Sequence, residues 1–314
     1  MPDSHLLPYV REVFNLKDGG ALGLDFLFPE HYDDESVVVY ILPGLTSHSQ
    51  TCYVKTLVLS IISAGGIAVV HNHRGLGGVP LKNARLYSAS NFDDAREVAG
   101  YLNQRFPLRR KIVIGTSMGA MVMSKYLATH PEEGKRSFVA ALAISSIWDA
   151  IKGIESLEKP FINRYIINSA ITQNVLEIAV KYKETIQVRD CIDYKKVLNC
   201  SNVRDFDAFF TAPSFGHKSA EDYYRDATTL DTISNFSIPV FALNAEDDPF
   251  SPGYALPISQ AEAAGSNFAL ITTTRGGHLG YLEGVFPLRR TTHFMERFVA
   301  EFVRAIQQSD KAFL

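Results

Sequence analysis

The sequence predicts an α/β fold in which a mainly parallel sheet is covered by helices on both faces, and three observations support this prediction. Short apolar segments of strand length alternate along the chain with segments of helical apolar spacing. The motif Gly-Thr-Ser-Met-Gly at 115–119 stands between one such strand and one such helix. A serine, an aspartate pair and a histidine then follow strand ends in that order. Alternation of this kind is typical of parallel sheets, whose ligands bind beyond the carboxyl ends of the strands.

The predicted strands are short, mostly apolar runs that are bounded by turn or helix signals. The most apolar of them is Phe-Val-Ala-Ala-Leu-Ala-Ile at 138–144, which is typical of a central strand buried on both faces. Helices are expected between most of the strands. The predicted strands are 22–28, 37–42, 67–71, 111–115, 138–144, 239–244 and 268–272.

Ser117, at the centre of the glycine-flanked motif, is the candidate nucleophile. A serine hydroxyl is a weak nucleophile, so its chemistry needs a sharp turn that exposes Oγ and a histidine within reach. Small flanking residues are also needed because the turn is sterically crowded. A strand, a serine between glycines and a helix form a nucleophile elbow. Since such a motif also occurs by chance, it needs independent support from the rest of the chain.

That support lies near the C-terminus, where carboxylates and a histidine follow predicted strands. Asp247 and Asp248 come after strand 239–244, and His278 comes after two glycines that follow the last strand. The order Ser, Asp, His is that of α/β-hydrolases and differs from the orders in chymotrypsin and subtilisin. We expect Asp248 to orient His278 because its Asp-Pro-Phe-Ser-Pro continuation resembles the turn after the acid in this fold. Asp247 is the alternative acid, and a turn with a helix cap is the alternative interpretation of the pair.

A tetrahedral intermediate carries negative charge, which backbone amides must stabilise. In this fold the amides come from the residue after the nucleophile and from a loop after an earlier strand. The amide of Met118 is the first candidate donor. The amide of Leu45, in the loop after strand 37–42, is the second, although the Pro-Gly pair before it could simply be a turn.

His71 and His73 are two residues apart at a strand end and therefore share a face, a pattern that can indicate a metal site. A zinc site needs at least three protein ligands, and the sequence offers no third ligand nearby. We therefore predict no metal. The serine chemistry requires no organic cofactor either.

The interval 147–236 is far longer than a normal connection between sheet strands, so it must carry structure of its own. We predict a catalytic domain made of residues 1–146 and 237–314, with residues 147–236 inserted as a cap. Apolar residues between 161 and 179 recur at three- and four-residue spacing and predict amphipathic helix. We expect this face to pack on the catalytic domain; lining an acyl pocket or touching a membrane are the alternatives. The aromatic residues between Phe206 and Phe210 border substrate or anchor the cap, and the sequence does not decide which.

Composition narrows the functional class and the location. With 46% hydrophobic residues, the 314-residue chain can bury a large core, and its net charge of −3 gives no basic footprint for nucleic acid. Three cysteines cannot all pair within one chain, which favours a reducing compartment. No secretory signal is predicted, and the longest apolar stretch, 56–70, is too short and too interrupted to span a membrane. The expected location is cytoplasmic or peripheral to a membrane, and the oligomeric state is not predicted.

Taken together, these motifs resemble the α/β-hydrolase-domain family of animal membrane-anchored phospholipid lipases, bacterial carboxylesterases and yeast medium-chain ester synthases. The resemblance covers nearly the whole chain. It implies that Ser117, Asp248 and His278 form a catalytic triad, and it implies a lipid-like ester substrate. Unlike the animal lipases, this sequence begins almost at the first strands, so a constitutive membrane anchor is not expected. The matching segments are 42–46, 72–75, 115–119, 222–225, 244–249 and 276–280.

The predicted activity is therefore that of a serine carboxylic-ester hydrolase of the carboxylesterase and lipase type, acting on acyl esters through an acyl-enzyme. Transfer of the acyl group to an alcohol or a lysolipid is the alternative activity, because it uses the same intermediate. A catalytically idle binding or scaffold protein is the alternative of another class, because a fold does not by itself imply a function.

Overall fold

The computed structural model describes residues 6–159, 161–263, 265–284 and 292–309. Within these ranges, one eight-stranded sheet runs through the protein in the order β1-β2-β4-β3-β5-β6-β7-β8. β2 pairs antiparallel with both β1 and β4, and every other neighbouring pair is parallel. The strands are β1 Val10–Asn15, β2 Ala21–Leu27, β3 Val38–Leu42, β4 Ile67–Asn72, β5 Lys111–Thr116, β6 Ala140–Ile144, β7 Val240–Ala245 and β8 Phe268–Thr273.

All the predicted strands are present with small shifts at their ends, and the mainly parallel α/β architecture is confirmed. β1 was not predicted from the sequence. It lies at the edge of the sheet, where Val10 and Val13 are 58% and 53% exposed, and charged residues separate them. An exposed edge strand lacks the continuous apolar run by which the buried strands can be recognised.

Helices cover both faces of the sheet. The α-helices among the described residues are α1 Cys52–Ser63, α2 Asp93–Arg105, α3 Met118–Thr129, α4 Pro131–Ser137, α5 Ala150–Glu158, α6 Ser169–Lys181, α7 Lys183–Ile186, α8 Tyr194–Leu198, α9 Val203–Phe206, α10 Ala212–Ser214, α11 Ala220–Ala227, α12 Ile258–Ala263 and α13 Phe294–Gln308. Two π-helical segments, Asn163–Asn168 and Asp207–Thr211, and 3₁₀ turns at Leu230–Asn235, Gly253–Ala255 and Gly265–Asn267 complete them.

The core has two layers because successive side chains of a strand point to opposite faces of the sheet. In β3, Tyr40 faces a cluster that includes residues of α2 and α3, whereas Val39 and Ile41 face α1 and α13. All three are almost completely buried. The sheet is therefore a rigid platform whose parallel strands end together at one edge.

The chain leaves the sheet between β6 and β7, and we call residues 147–236 the cap segment. Apart from α6, its helices are short, and both π-helical segments belong to it. Ile186, Val197 and Phe206 form an apolar cluster of their own together with Leu76 and Leu86 from the connection between β4 and α2. The cap segment thus packs over the carboxyl edge of the sheet rather than extending it.

Candidate active site

Ser117 occupies the turn between β5 and α3. Its backbone has φ +53° and ψ −122°, in a region that non-glycine residues rarely adopt, and its amide donates to the Ile144 carbonyl of β6. Such strain persists only where the surroundings enforce it, and it is typical of functional turns. The turn places Ser117 beyond the carboxyl end of β5, as a nucleophile elbow requires.

The two glycines of the motif are required by close backbone contacts. A Cβ atom at Gly119 would lie 2.0 Å from the Leu42 carbonyl oxygen of β3, and one at Gly115 would lie 2.5 Å from Cα of Ala120. Neither backbone contact can yield by a side-chain rotation. The spacing seen in the sequence is therefore dictated by how closely α3 approaches the sheet.

The structure brings Ser117, His278 and Asp248 together. Oγ of Ser117 lies 2.8 Å from Nε2 of His278, and Nδ1 of the same imidazole lies 2.8 Å from Oδ2 of Asp248. The Asp248 side chain is fully buried, and its Oδ1 accepts a hydrogen bond from the Phe250 amide at 2.8 Å. The carboxylate is thus satisfied on both oxygens, and the imidazole bridges it to the serine.

Asp247 lies beside this chain of hydrogen bonds but serves another contact. Its Oδ1 accepts hydrogen bonds from the amides of Gly276 and Gly277, at 2.9 and 2.7 Å. These glycines immediately precede His278, so Asp247 holds the backbone of the loop whereas Asp248 contacts the imidazole. The sequence alone left both carboxylates as candidates for the imidazole contact.

Phe250 was not singled out by the sequence, yet its ring stacks on the His278 imidazole with centroids 4.0 Å apart and planes 26° apart. The stacked ring limits rotation of the imidazole and shields its face from water. An aromatic residue just after the Asp-Pro pair is the only signal in the sequence, and it is too common to predict a stacking contact.

The loop after β3 passes directly beside the serine. A Cβ atom at Gly44 would lie 3.2 Å from Cβ of Ser117, and Thr46 has a left-handed backbone with φ +60°. Among the described residues, no group accepts a hydrogen bond from the amide of Leu45 or from that of Met118. Both predicted oxyanion donors are therefore available for a ligand at this edge of the sheet.

One buried and two half-buried side chains hold this loop in place. The Tyr53 hydroxyl accepts from the Gly44 amide at 2.8 Å, and the Tyr87 hydroxyl accepts from the Thr46 amide at 3.2 Å. Nε2 of His73 lies 3.0 Å from the Pro43 carbonyl oxygen, to which it must donate because a carbonyl only accepts. These long-range contacts have no pattern in the sequence that would reveal them.

His71 and His73 do not converge on a common point. Nδ1 of His71 is bonded to the Tyr40 hydroxyl at 2.7 Å, while His73 bonds the loop. Burial lowers the pKa of both imidazoles, that of His71 well below its ordinary value, so both are neutral near pH 7. Among the residues that the structure describes, no group of three or more His, Cys, Asp or Glu side chains could hold a metal ion.

A cavity opens beside Ser117 between the sheet edge and the cap segment; the cavity and its mouth together enclose about 1020 Å³. Its size and mostly apolar walls fit an organic ligand. From the sheet side it is lined by Leu45, Tyr87, Ser117, Met118, Met121 and Phe250, and from the cap segment by Ile154, Leu157, Ile171, Val175, Ile178, Phe206, Asp207, Phe210, Tyr223 and Tyr224, among others.

The amphipathic region of the cap segment divides into two parts. Ile171, Val175 and Ile178 of α6 line the cavity, which corresponds to the acyl-pocket alternative. The preceding stretch is exposed instead: Phe161, Ile162, Tyr165 and Ile166 are 76%, 61%, 59% and 61% accessible. The expected packing on the catalytic domain is thus wrong for this stretch. No helix in the described part of the chain is both long and apolar enough to cross a membrane.

Comparison with known proteins agrees with this architecture. An esterase from Pyrococcus furiosus superposes with a TM-score of 0.59 at 16% identity, over 94% of this chain and 90% of that one. Est1E from Butyrivibrio proteoclasticus superposes with a TM-score of 0.57 at 14% identity, over 95% and 96% of the two chains. At these identities the likeness concerns the fold alone.

Sequence comparison identifies the family. The family profile described as "Serine aminopeptidase, S33" matches residues 33–253. Protein abhd-3.2 of Caenorhabditis elegans is 37% identical over 92% of this chain and 76% of its own length. Phospholipase ABHD3 of Bos taurus is 34% identical over 96% of this chain and 72% of its own length. The chain therefore belongs to the α/β-hydrolase family that this profile describes, together with these relatives. It is a hydrolase of the esterase and lipase type.

Proposed function

We propose that the protein is a serine esterase that hydrolyses lipid-like acyl esters through an acyl-enzyme formed on Ser117. One observation carries this proposal. A continuous chain of hydrogen bonds, with two 2.8 Å steps, joins the serine hydroxyl through His278 to the buried Asp248, and the serine faces an apolar cavity. Nucleophile, base and orienting acid are thus already within the distances that proton transfer requires.

In the proposed mechanism, His278 Nε2 removes the proton from Ser117 as Oγ attacks the ester carbonyl carbon. Asp248 accepts from Nδ1, which fixes the tautomer and stabilises the imidazolium that forms. Asp248 stays ionised, and its second oxygen is kept satisfied by the Phe250 amide. The imidazolium then donates its proton to the leaving alcohol as the carbon–oxygen bond breaks.

The oxyanion of the tetrahedral intermediate would be held by the amides of Met118 and Leu45. Donors that are already in place, in a site closed to water, stabilise such charge with little reorganisation. After the alcohol leaves, His278 activates a water molecule that attacks the acyl carbonyl. Collapse of the second intermediate returns the proton to Ser117 and releases the carboxylic acid.

The walls of the cavity support an acyl chain as substrate, because the face of α6 that lines it is entirely aliphatic. Relatives named phospholipase ABHD3 and monoacylglycerol lipase, the latter from Saccharomyces cerevisiae at 31% identity, support a lipid ester. We assign residues 147–236 as a cap that supplies this wall, and residues 1–146 and 237–314 as the catalytic unit. The exposed stretch 161–166 supports peripheral contact with a lipid surface.

The test is labelling of wild type and Ser117→Ala with a fluorophosphonate, followed by turnover of p-nitrophenyl esters from acetate to palmitate. Wild type should be labelled and show a chain-length optimum, whereas Ser117→Ala should lose turnover by roughly 10⁴- to 10⁶-fold and remain folded. Ser124→Ala is a matched control, because Ser124 is buried in α3, the helix that follows Ser117, and its hydroxyl has no partner among the described residues. Equal labelling of folded Ser117→Ala would contradict the mechanism.

A further inference from the structure

Asp207 is a carboxylate in the wall of the substrate cavity. It begins the π-helical segment Asp207–Thr211 of the cap segment and lines the same cavity as Ser117. The residue is only 8% exposed. π-helical turns are rare and often occur at functional sites, and a buried carboxylate in an apolar cavity is costly unless its charge is compensated.

The contacts of Asp207 compensate this charge incompletely. The Tyr224 hydroxyl donates to Oδ2 at 2.8 Å, and the Thr211 hydroxyl is a second hydrogen-bonding partner. Within the described part of the chain, no Lys, Arg or His side chain forms an ion pair with it. Arg204 acts on it only at longer range and is itself paired with Glu158 and Glu221, at 2.7 Å each.

The other polar side chains in the wall are already engaged within the protein. The Tyr87 hydroxyl accepts from the Thr46 amide, the Tyr223 hydroxyl accepts from the Ala89 amide at 3.3 Å, and the Ser88 hydroxyl bonds to Ser90 at 3.2 Å. An ionised carboxylate has about four acceptor positions, so Asp207 has acceptor capacity to spare. Burial raises its pKa to about 6, which leaves it mainly ionised at neutral pH.

We propose that Asp207 forms a hydroxyl-binding subsite in the substrate cavity, where its carboxylate accepts a hydrogen bond from a hydroxyl group of the ester. The inference deepens the proposed esterase function and rests on it. The hydroxyl belongs either to the alcohol part of the ester or to its acyl chain; both have the same chemistry. A neutral donor fits better than a cation for two reasons. Two hydroxyls already bond the carboxylate. The Arg204 guanidinium lies over the Tyr224 ring at 5.8 Å, so a positive charge is already close to the subsite.

The experiment compares kcat/KM for two matched ester pairs. One pair is monooctanoylglycerol and propyl octanoate, which differ by hydroxyls on the alcohol part. The other is the p-nitrophenyl esters of ω-hydroxyoctanoate and octanoate, which differ by a hydroxyl on the acyl chain. Wild type should prefer the hydroxylated member of one pair by about 10- to 100-fold, the range expected for a hydrogen bond to a charged group. That pair identifies which part of the ester reaches Asp207.

Two variants then test the residue. Asp207→Asn keeps an acceptor for Tyr224 but loses the charge, so the preference should fall to a few-fold; Asp207→Leu should abolish it. Asp205→Asn is the matched control, because Asp205 lies two residues earlier, bonds to Asn202 at 2.8 Å and does not line the cavity. Its preference should equal that of wild type. If Asp207→Leu does not fold, Asp207→Asn decides the question alone.

Three results would overturn the subsite. These are equal rates within both pairs in wild type, an unchanged preference in Asp207→Asn, and a stronger preference for the ω-amino analogue, which would show that the site binds a cation. In each case, fluorophosphonate labelling of Ser117 would still leave the esterase proposal standing. Absence of both labelling and turnover in folded wild type would instead overturn the esterase proposal and the subsite with it.

Discussion

The two walls of the cavity are built in different ways. On the sheet side, Ser117, Asp248 and His278 lie beyond the ends of β5, β7 and β8, and their hydrogen bonds are short and mutually supporting. On the cap side, short helices and two π-helical segments present an apolar surface with one carboxylate, Asp207, that lacks an ion-pair partner among the described residues. Under the proposed function, the sheet would fix the position of the three proposed catalytic side chains, and the cap segment would determine which ester is placed before them.

The walls should also differ in how they tolerate change. Strands β2 to β7 are almost completely buried, so a displacement there disturbs close packing throughout the core. The cap segment has exposed apolar residues and small, separate clusters, which are features of regions that open at low cost. Substitutions on the sheet side should therefore affect kcat, and those on the cap side should affect selectivity and stability.

The largest effect is expected for the two adjacent carboxylates of the sheet side. Asp248→Asn should lower kcat by about 10⁴-fold, because the amide favours the wrong tautomer of His278. Asp247→Asn keeps an acceptor for the Gly276 and Gly277 amides, so a loss of about tenfold or less is expected. Steady-state kinetics on one p-nitrophenyl ester measure both. A larger loss in Asp247→Asn would transfer the acid role from Asp248 to Asp247.

The next effect concerns the cap side and depends on pH. The pKa of Asp207 is about 6 in the folded protein, above its ordinary value near 4, so folding binds a proton. Binding of this proton to Asp207 contributes stability that is fully present below about pH 4 and is lost as the pH rises through about 6. Asp207→Asn lacks this titrating group. As the pH rises from about 4 to above 6, its free energy of unfolding should therefore rise relative to that of wild type by up to about 3 kcal/mol.

Urea unfolding of both proteins from pH 4 to 7 measures that difference, and subtraction removes the contributions of groups common to both, such as His71 and His73. Parallel curves for wild type and Asp207→Asn would show that the carboxylate is as well solvated in the folded protein as in the unfolded chain. Such a result would remove the energetic contrast between the two walls.

A smaller effect is expected for the support of the loop after β3. Tyr53→Phe deletes the acceptor of the Gly44 amide next to Leu45, so the proposed oxyanion donor should shift and kcat should fall by about tenfold, with KM little changed. Tyr194→Phe serves as the control, because its hydroxyl donates to Ala179 inside the cap segment and Tyr194 does not line the cavity. A change confined to KM would place Tyr53 in substrate binding instead.

The smallest effect is expected at the outer surface of the cap segment. Ile162→Ser combined with Ile166→Ser should weaken co-sedimentation with phosphatidylcholine vesicles by about tenfold, because less apolar surface can enter the lipid. Leu108→Ser is the control: Leu108 is 95% exposed but precedes β5, at the end of the strand away from the cavity. If wild type, the double variant and Leu108→Ser bind the vesicles equally, the role of the cap segment is confined to the cavity.

The sheet side could largely be predicted from the sequence because its constraints are local. The elbow at Ser117 needs glycines at fixed positions, and buried parallel strands need apolar runs. His278 could be predicted from its order in the chain and from the glycines before it. Each of these patterns spans only a few residues, so one sequence suffices to reveal it.

The remaining features depend on contacts between distant residues, which a single sequence does not specify. Phe250 stacks on His278 across 28 positions of the chain, and Tyr53 reaches Thr116 across 63. The π-helical turn at Asp207–Thr211 changes the helical phase, so spacing alone could not predict that Asp207 lines the cavity. β1 escaped prediction because an edge strand need not be apolar on either face.

The adjacent aspartates at the end of β7 have a mechanical consequence. Asp248 contacts the imidazole of His278, and Asp247 contacts the backbone just before it, so one strand end holds the histidine at two points. A displacement of this strand end would therefore move the imidazole and the carboxylate that contacts it together. In the proposed mechanism, a shift of the cap segment would then change access to Ser117 without changing the contact that sets the tautomer of His278.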